Sequence, residues 1–358
     1  MISILTLSDF RNHESTRIKT GFAGPVVITG PNGSGKTSII EAISMFASVG
    51  TLRGAGVSEI ARIGGTKGFG VVAELRDGTQ LSVSWSDGDA LRRARIDGDS
   101  AALSELSRHL RMVWVTPRED RLFVDAAVDR RIFFDRLCAS FDPAHSGRVV
   151  RLSKLLSQRA FALKNGAGDE WLRPIEKQLA ETAVAVAAAR VKYIGEINWF
   201  LSEDSADYTT TITGLLEEKL SLEGFAVDIE REYAEYLSRE RALTGDKMTI
   251  DGPQRTDFGM FNRALYMPVA QTSTGQQKSA LFSLVLAHAC LVRAKTGCTP
   301  LILLDEAAAH LDADARTVLF KGLAKAKAQV WATGIDPILF EGVADAVFIG
   351  CQNGKICG

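Results

Sequence analysis

The sequence predicts an α/β fold: a head built on a parallel sheet, interrupted by an antiparallel β meander and by a helical insertion. Three observations carry this reading. G-P-N-G-S-G-K-T at 30–37 stands between an apolar strand and a helical repeat. L-I-L-L-D-E at Leu301–Glu306 is a second apolar strand, and it ends in two carboxylates. Between them lie alternating segments punctuated by Asp-Gly pairs, then a stretch rich in Ala, Leu, Lys, Arg and Glu.

The elements follow in order. Ile2–Leu7 alternates as a strand does, and 24–30 reads as a buried strand entering a turn. From Lys36 to Phe46, Ile39, Ile40, Ile43 and Phe46 recur at helical spacing. Asp77-Gly78, Asp87-Gly88 and Asp97-Gly98 mark the turns of a meander between Gly68 and Gly98. Met112–Thr116 reads as a core strand. Pro143–Leu201 reads as helices folded back into a short arm, with breaks near Gly166–Gly168 and Arg173-Pro174. Strands return over Met248–Val269, a helix over Gly275–Ala294, and strands over Thr299–Leu304, Gln329–Thr333 and Ala346–Gly350. The expected division is 1–140 for the first part of the head, 141–245 for the arm and 246–358 for the rest of the head.

Composition narrows the class. A chain of 358 residues supports two packed lobes rather than one small core. Hydrophobic residues at 46% and charged residues at 24% are those of an ordinary soluble protein. No run approaches the ~20 uninterrupted apolar residues that span a bilayer, and the first ten residues lack a signal-peptide pattern. The expectation is a cytoplasmic protein with no membrane partner. Five cysteines without a C-x-x-C pair predict reduced, mostly buried thiols rather than a zinc site. A net charge of −1 provides no global field for nucleic acid, so any such affinity must be local.

The 30–37 segment satisfies G-x-x-x-x-G-K-[ST], a match with a chance probability of about 1% at average residue usage. Gly30, Gly33 and Gly35 let the backbone of Pro31, Asn32 and Ser34 wrap an anion, and the following helix adds its positive end, near Ser38. Lys36 is placed to pair with β/γ-phosphates, and the Thr37 hydroxyl to ligate Mg²⁺. The predicted cofactors are therefore ATP and Mg²⁺. Asp305 emerges at the carboxyl end of its strand as the second magnesium group, and Glu306 as the group that orients and polarises the attacking water. S-T-G-Q-Q-K at Ser273–Lys278 opens a helix, with Ser273, Gly275 and Gln276 as donors to an anion. It resembles the ABC/SMC signature loop, which caps the γ-phosphate of ATP held by a second subunit. The glycine-rich and acidic halves of the site come from opposite ends of the chain, with a short helical insertion between them. That is an SMC-like organisation.

Taken together, the motifs resemble those of the RecF family of bacterial replication and repair ATPases over nearly the whole chain. L-S-D-F-R-N-H (7–13) is similar to that family's F-R-N element, and the P-loop likeness extends through Glu41. T-L-R (51–53), P-R-E-D (117–120), D-R-R-I-F-F-D (129–135) and D-G-P-Q-R-T-D (251–257) are similar to further family segments. Gln254 stands where the family has His, Thr256 where it has Asp, and Val128 where Pro is common. Asp305-Glu306 replaces a frequent D-D pair. Thr333, in W-A-T-G-I-D, stands at the switch position, where transporter ATPases carry His.

The resemblance implies an ABC/SMC-type ATPase head whose ATP binding drives head-to-head homodimerisation on duplex DNA near single-strand gaps. Slow, DNA-stimulated hydrolysis would release the DNA, and mediators of the RecO/RecR type would be helped to load recombinase. It also implies that Arg11 and Asn12 lie near the nucleotide. For DNA phosphates the candidates are Arg53, Arg62 and Lys67, and on the meander Arg92, Arg93 and Arg95. A transporter ATPase is disfavoured by the wide spacing. The remaining alternatives are another SMC-like head and a structural ATP switch with negligible turnover.

Overall fold

The computed structural model describes residues 1–20, 24–48, 50–204, 207–222, 225–241, 250–306, 311, 313–341 and 343–357. They form two compact units, Met1–Arg121 with Leu281–Gly358, and Leu122–Ala280. The second unit is larger than the expected arm. It takes in the 127–141 helix, a small sheet and the Ser273–Lys278 segment, while the expected boundary at 245/246 lies outside the described residues.

In chain order the first elements are β1 (Ile2–Phe10), β2 (His13–Lys19), β3 (Val26–Thr29) and α1 (Lys36–Ser44). The meander is β4 (Gly68–Leu75), β5 (Gln80–Ser86), β6 (Arg93–Ile96) and β7 (Asp99–Ala101), followed by α2 (Leu103–His109) and β8 (Met112–Val115). Next come α3 (Ala127–Phe141), α4 (Ala144–Lys164), α5 (Asp169–Asp204), β9 (Tyr208–Thr213), α6 (Leu215–Ser221) and α7 (Ala226–Arg239). The chain continues through β10 (Asp257–Asn262), β11 (Met267–Pro268), α8 (Thr274–Thr296), β12 (Leu301–Leu304) and α9 (Ala313–Lys325). It finishes with β13 (Gln329–Gly334), β14 (Val347–Gln352) and β15 (Lys355–Cys357).

The first unit holds two six-stranded sheets. One is antiparallel in the order β2-β1-β4-β5-β6-β7, and the other runs β15-β14-β3-β13-β12-β8. In the second sheet β3 pairs in parallel with β13 and β14, and β12 in parallel with β13 and β8. Every position of β3, β8 and β12 is buried, and all but Thr29 are apolar, because both faces are covered. Residues of both sheets and of α1, among them Phe10, Ile39, Phe46, Trp114 and Trp331, share one core. The meander turns fall where the Asp-Gly pairs predict. At Asp97-Gly98 both residues take positive φ, 50° and 91°, as a two-residue hairpin requires. Three strands escaped the sequence reading: β2, β9 and β15. β2 is a half-exposed edge strand with charged outer positions, and β15 follows an Asn353-Gly354 turn.

In the second unit, α4 and α5 pack antiparallel, with Leu152, Leu155, Leu179, Ala183 and Ala187 in their shared core. The Ala-rich run thus forms a packing seam. The expected break at Arg173-Pro174 does not occur, and Pro174 sits inside the continuous 36-residue α5. As the sixth residue of that helix it removes a single backbone bond near an end that is already short of partners. β9, β10 and β11 form a three-stranded antiparallel sheet, and the G-P-Q-R segment before β10 is irregular rather than a strand. Helix α8 has the length and composition to cross a membrane, but 61% of its apolar stretch is buried inside the protein. Leu281, Leu284, Val285 and Leu291 are core residues. The thiols divide: Cys138 and Cys351 are buried, Cys290 and Cys298 half-buried, and Cys357 exposed.

A buried polar cluster ties the second unit together. Arg190 donates from Nε and Nη2 to the two Asp135 oxygens at 2.9 and 2.8 Å, and from Nη1 to the Pro253 carbonyl at 2.6 Å. His145 Nε2 lies 2.8 Å from Asp135. Burial pushes the Asp135 carboxyl up, but the hydrogen bonds from His145 and Arg190 outweigh it and hold the group at about 2. A depressed carboxylate stabilises the fold above its unfolded value of about 4 and loses that contribution as pH falls toward 2. Asp135→Ala takes the side-on partner from the buried Arg190 and leaves only Glu217 and the Pro253 carbonyl, so denaturant unfolding at neutral pH should show a loss of about 3 kcal/mol. The deficit should shrink near pH 2.

Candidate nucleotide site

The site begins in the order of the sheet. Because β13 lies between β3 and β12, the loop leaving β3 and the carboxylates leaving β12 open at the same edge, with the end of β13 between them. Thr37, at the start of α1, donates to Asp305 Oδ1 at 2.9 Å. Thr333, at the end of β13, donates to the same oxygen at 2.8 Å and accepts from the Glu306 amide at 2.9 Å. Asp305 and Thr333 are buried. Burial pushes the Asp305 carboxyl up against the pull of the two hydroxyls. Glu306 takes a positive φ of 53°, a backbone region that residues with a Cβ avoid, and its side chain reaches the cleft above.

Gly30, Gly33 and Gly35 have φ of 149°, 78° and 112°. A Cβ at Gly30 would lie 2.1 Å from the Cys351 carbonyl oxygen, and one at Gly35 would lie 2.7 Å from His13 Nε2. Sterics therefore demand glycine at both. The Lys36 ammonium donates to the carbonyls of Gly30 and Pro31 at 2.8 and 2.9 Å. The amides of Gly33, Gly35, Lys36 and Thr37 donate to no acceptor among the described residues, which leaves the positive end of α1 free for an anion. Ser34 turns inward, and its carbonyl accepts from the Gly354 amide at 2.8 Å and from Asn12 Nδ2 at 3.2 Å. The β14–β15 hairpin and the β1–β2 turn thus hold the loop from behind.

A cleft of about 770 Å³ opens over this loop. Asn32, Gly33, Gly35, Lys36, Thr37 and Ser38 line it from the loop and the start of α1, whereas Gly30, Pro31 and Ser34 are outside its lining. Arg11, Arg53 and Arg62 add positive charge, with Glu59 and Ile63 at the rim. Thr37 and Asp305 bring together a hydroxyl and a carboxylate, the hard oxygen donors that magnesium takes. The donor set fits the ion that the sequence implies.

The DNA candidates fare differently. Arg53 and Arg62 line the cleft, and Arg62 Nε donates to Asp9 at 2.6 Å. Arg92 points inward to the Ala47 carbonyl at 2.9 Å, and burial pushes it down to about 10. That corrects its reading as a phosphate contact, because a desolvated, engaged guanidinium cannot meet DNA. Arg93 pairs with Asp89, whereas Lys67 and Arg95 are exposed. The Ser273–Lys278 segment belongs to the second unit. There Ser273 caps α8, with its amide and hydroxyl both donating to Gln276 Oε1 at 3.1 Å. This is a capping box, and Ser273 and Gly275 remain exposed.

One family model, RecF/RecN/SMC N terminal domain, matches residues 1–356. The DNA replication and repair protein RecF of Rhizobium etli (strain CIAT 652) is 37% identical, with 100% of this chain and 98% of that one covered. The chain belongs to the RecF family. RecF of Mesorhizobium japonicum is 38% identical, covering 99% and 97% of the two chains. Among solved structures, the recombination mediator protein RecF with ATPrS, of the RecFOR pathway, has a TM-score of 0.83 at 21% identity, over 99% of this chain and 97% of that one. An Smc head domain of Pyrococcus furiosus has a TM-score of 0.52 at 15% identity, over 99% and 95%. The fold is thus that of an SMC-like ATPase head of RecF type.

Within this RecF-family frame, the departures in 251–257 are local. Thr256 Oγ1 donates to the buried Glu217 at 2.7 Å, and Gln254 Nε2 to the Ile250 carbonyl at 2.7 Å. Val128 is half-exposed in the first turn of α3, where a proline would fit equally well. Sequence reasoning placed Glu41 and His13 in family-like segments but gave no role to either, though both are fully buried, Glu41 on α1. The signal for Glu41 was a charge inside the apolar run of that helix.

Two outcomes follow from this geometry. Gly35→Ala should abolish nucleotide binding by titration calorimetry, since the new methyl meets His13 and Asn12 in a backbone region it cannot adopt. Asp305→Asn removes a charge that the fold disfavours. It should raise the melting midpoint of nucleotide-free protein at neutral pH while weakening magnesium-dependent nucleotide binding.

Proposed function

We propose that this chain is an ATP-dependent DNA-binding protein of replication maintenance and recombinational repair, acting in the cytoplasm. The observation that carries the reading is the convergence of Lys36, Thr37, Asp305 and Glu306 on one cleft with unpaired loop amides. The RecF relatives, proteins of DNA replication and repair, support its place in repair.

ATP would lie with its phosphates on the amides of Gly33, Gly35, Lys36 and Thr37, with Lys36 released from the loop carbonyls to meet them. Thr37 and Asp305 would hold magnesium, which supplies charge neutralisation at the phosphates when bound. Glu306, with Thr333 fixing its backbone, orients and polarises the attacking water. The exposed Ser273 and Gly275 offer a hydroxyl and an amide at the start of α8, the donors that a second copy's γ-phosphate would need. ATP therefore pairs two heads on duplex DNA beside single-strand gaps, and slow hydrolysis lets go. Mediator proteins of the RecO/RecR type would load recombinase at such sites.

Oligomer mass should double with ATP and stay monomeric with ADP, read by analytical ultracentrifugation. A monomer at saturating ATP overturns the gating. Lys36→Met should lose ATP-dependent DNA retention across a salt series. Glu306→Gln should bind ATP, hydrolyse it at least about a hundredfold more slowly, and hold DNA longer. Unchanged turnover in Glu306→Gln would remove that residue from its role.

A further inference from the structure

Arg11 is the first residue of the β1–β2 turn and adopts a positive φ of 55°. Its guanidinium donates to Glu41 side-on, from Nε to Oε2 at 2.8 Å and from Nη2 to Oε1 at 2.6 Å. Nη1 donates to the Glu59 carbonyl at 2.9 Å. The Glu41 side chain is fully buried, whereas that of Arg11 is 20% exposed, and Arg11 lines the nucleotide cleft. A guanidinium carries five N–H donors. Three are taken, so one on each terminal nitrogen has no partner among the described residues.

A buried carboxylate is costly unless it is paired, and its position on α1 says what the pair is for. Glu41 lies four residues after Thr37, on the same face of the helix that begins with Lys36. The turn carrying Arg11 is also fixed to the loop, by Asn12 on the Ser34 carbonyl and by His13 Nε2, 3.0 Å from the Gly35 carbonyl. Arg11 thus keeps two donors without a described partner while lining the same cleft as the phosphate loop.

We infer that Glu41 is a positioning residue for nucleotide binding: it holds Arg11 in the cleft, with two N–H groups aimed at an oxyanion of the bound di- or triphosphate. The inference rests on the proposed ATP-binding reading and adds a residue to it. Glu41 touches no nucleotide itself. Its influence passes through Arg11, and it links the phosphate-loop helix to the β1–β2 turn.

The test is a thermodynamic cycle on the full chain, with equilibrium affinities for ATP and ADP measured by titration calorimetry for wild type, Arg11→Ala, Glu41→Gln and the double variant. Glu41→Gln should weaken ATP binding by about tenfold or more in the wild-type background, the scale of one charge-assisted hydrogen bond. It should have no further effect in the Arg11→Ala background. Equal losses in both backgrounds would mean that Glu41 merely supports the fold, and an unchanged affinity for Arg11→Ala would remove Arg11 from the ligand. If Glu41→Gln does not fold, Arg11→Lys leaves the carboxylate intact while losing the side-on pair. It should show the same tenfold loss, and wild-type affinity would overturn the inference. Failure of wild type itself to bind ATP would sink the functional reading instead, before any variant is compared.

Discussion

The proposed chemistry depends on one shared oxygen. Asp305 Oδ1 receives the Thr37 hydroxyl from one side and the Thr333 hydroxyl from the other, and Thr333 in turn accepts the amide of Glu306. Four residues, from the first turn of α1 and the ends of β12 and β13, are locked by three hydrogen bonds. The junction exists because β13 intervenes between β3 and β12. With any other strand order, the loop and the acids would emerge at different places. Burial raises the cost of keeping Asp305 charged, and the hydroxyls only partly offset it. A carboxylate kept short of compensation in this way has unspent attraction for a cation.

The same economy governs the rest of the first unit. Arginines near the cleft are not left to wander: Glu41 holds Arg11, and Asp9 holds Arg62 while also accepting from the Thr66 amide and hydroxyl at 3.0 and 2.7 Å. Long cationic side chains lose rotamer entropy when they bind, and carboxylates that order them beforehand move that cost into folding. Arg53 stands exposed in the same cleft. In the second unit Arg190 bridges Asp135, Glu217 and the Pro253 carbonyl, so polar burial there ties α3, α5 and α6 to the loop before β10.

Much of this was legible in the chain because local rules and long-range placement agree. The glycines of 30–35 announce positive φ, the apolar runs announce a sheet covered on both faces, and the Asp-Gly pairs announce the meander turns. Legibility failed where a side chain's direction decides the matter. Arg92 reads as one of a basic cluster, yet only its hydrogen bond to the Ala47 carbonyl shows that it points inward. Glu41 reads as a helical acid like any other until its burial is known. Pro174 reads as a break because propensity ignores its place near the helix start. The edge strands β2 and β15 carry little hydrophobic signal, being half-exposed and stabilised by neighbours distant in sequence.

The order β3-β13-β12 also sets a schedule. A ribosome delivers the glycine loop early and the acidic pair 269 residues later, counted from Lys36 to Asp305. Until Leu301–Thr333 has emerged and closed the parallel sheet, the growing polypeptide carries a phosphate cradle without its carboxylates. Long-range parallel pairing is slow to form, so the proposed site is completed in one late event rather than by degrees.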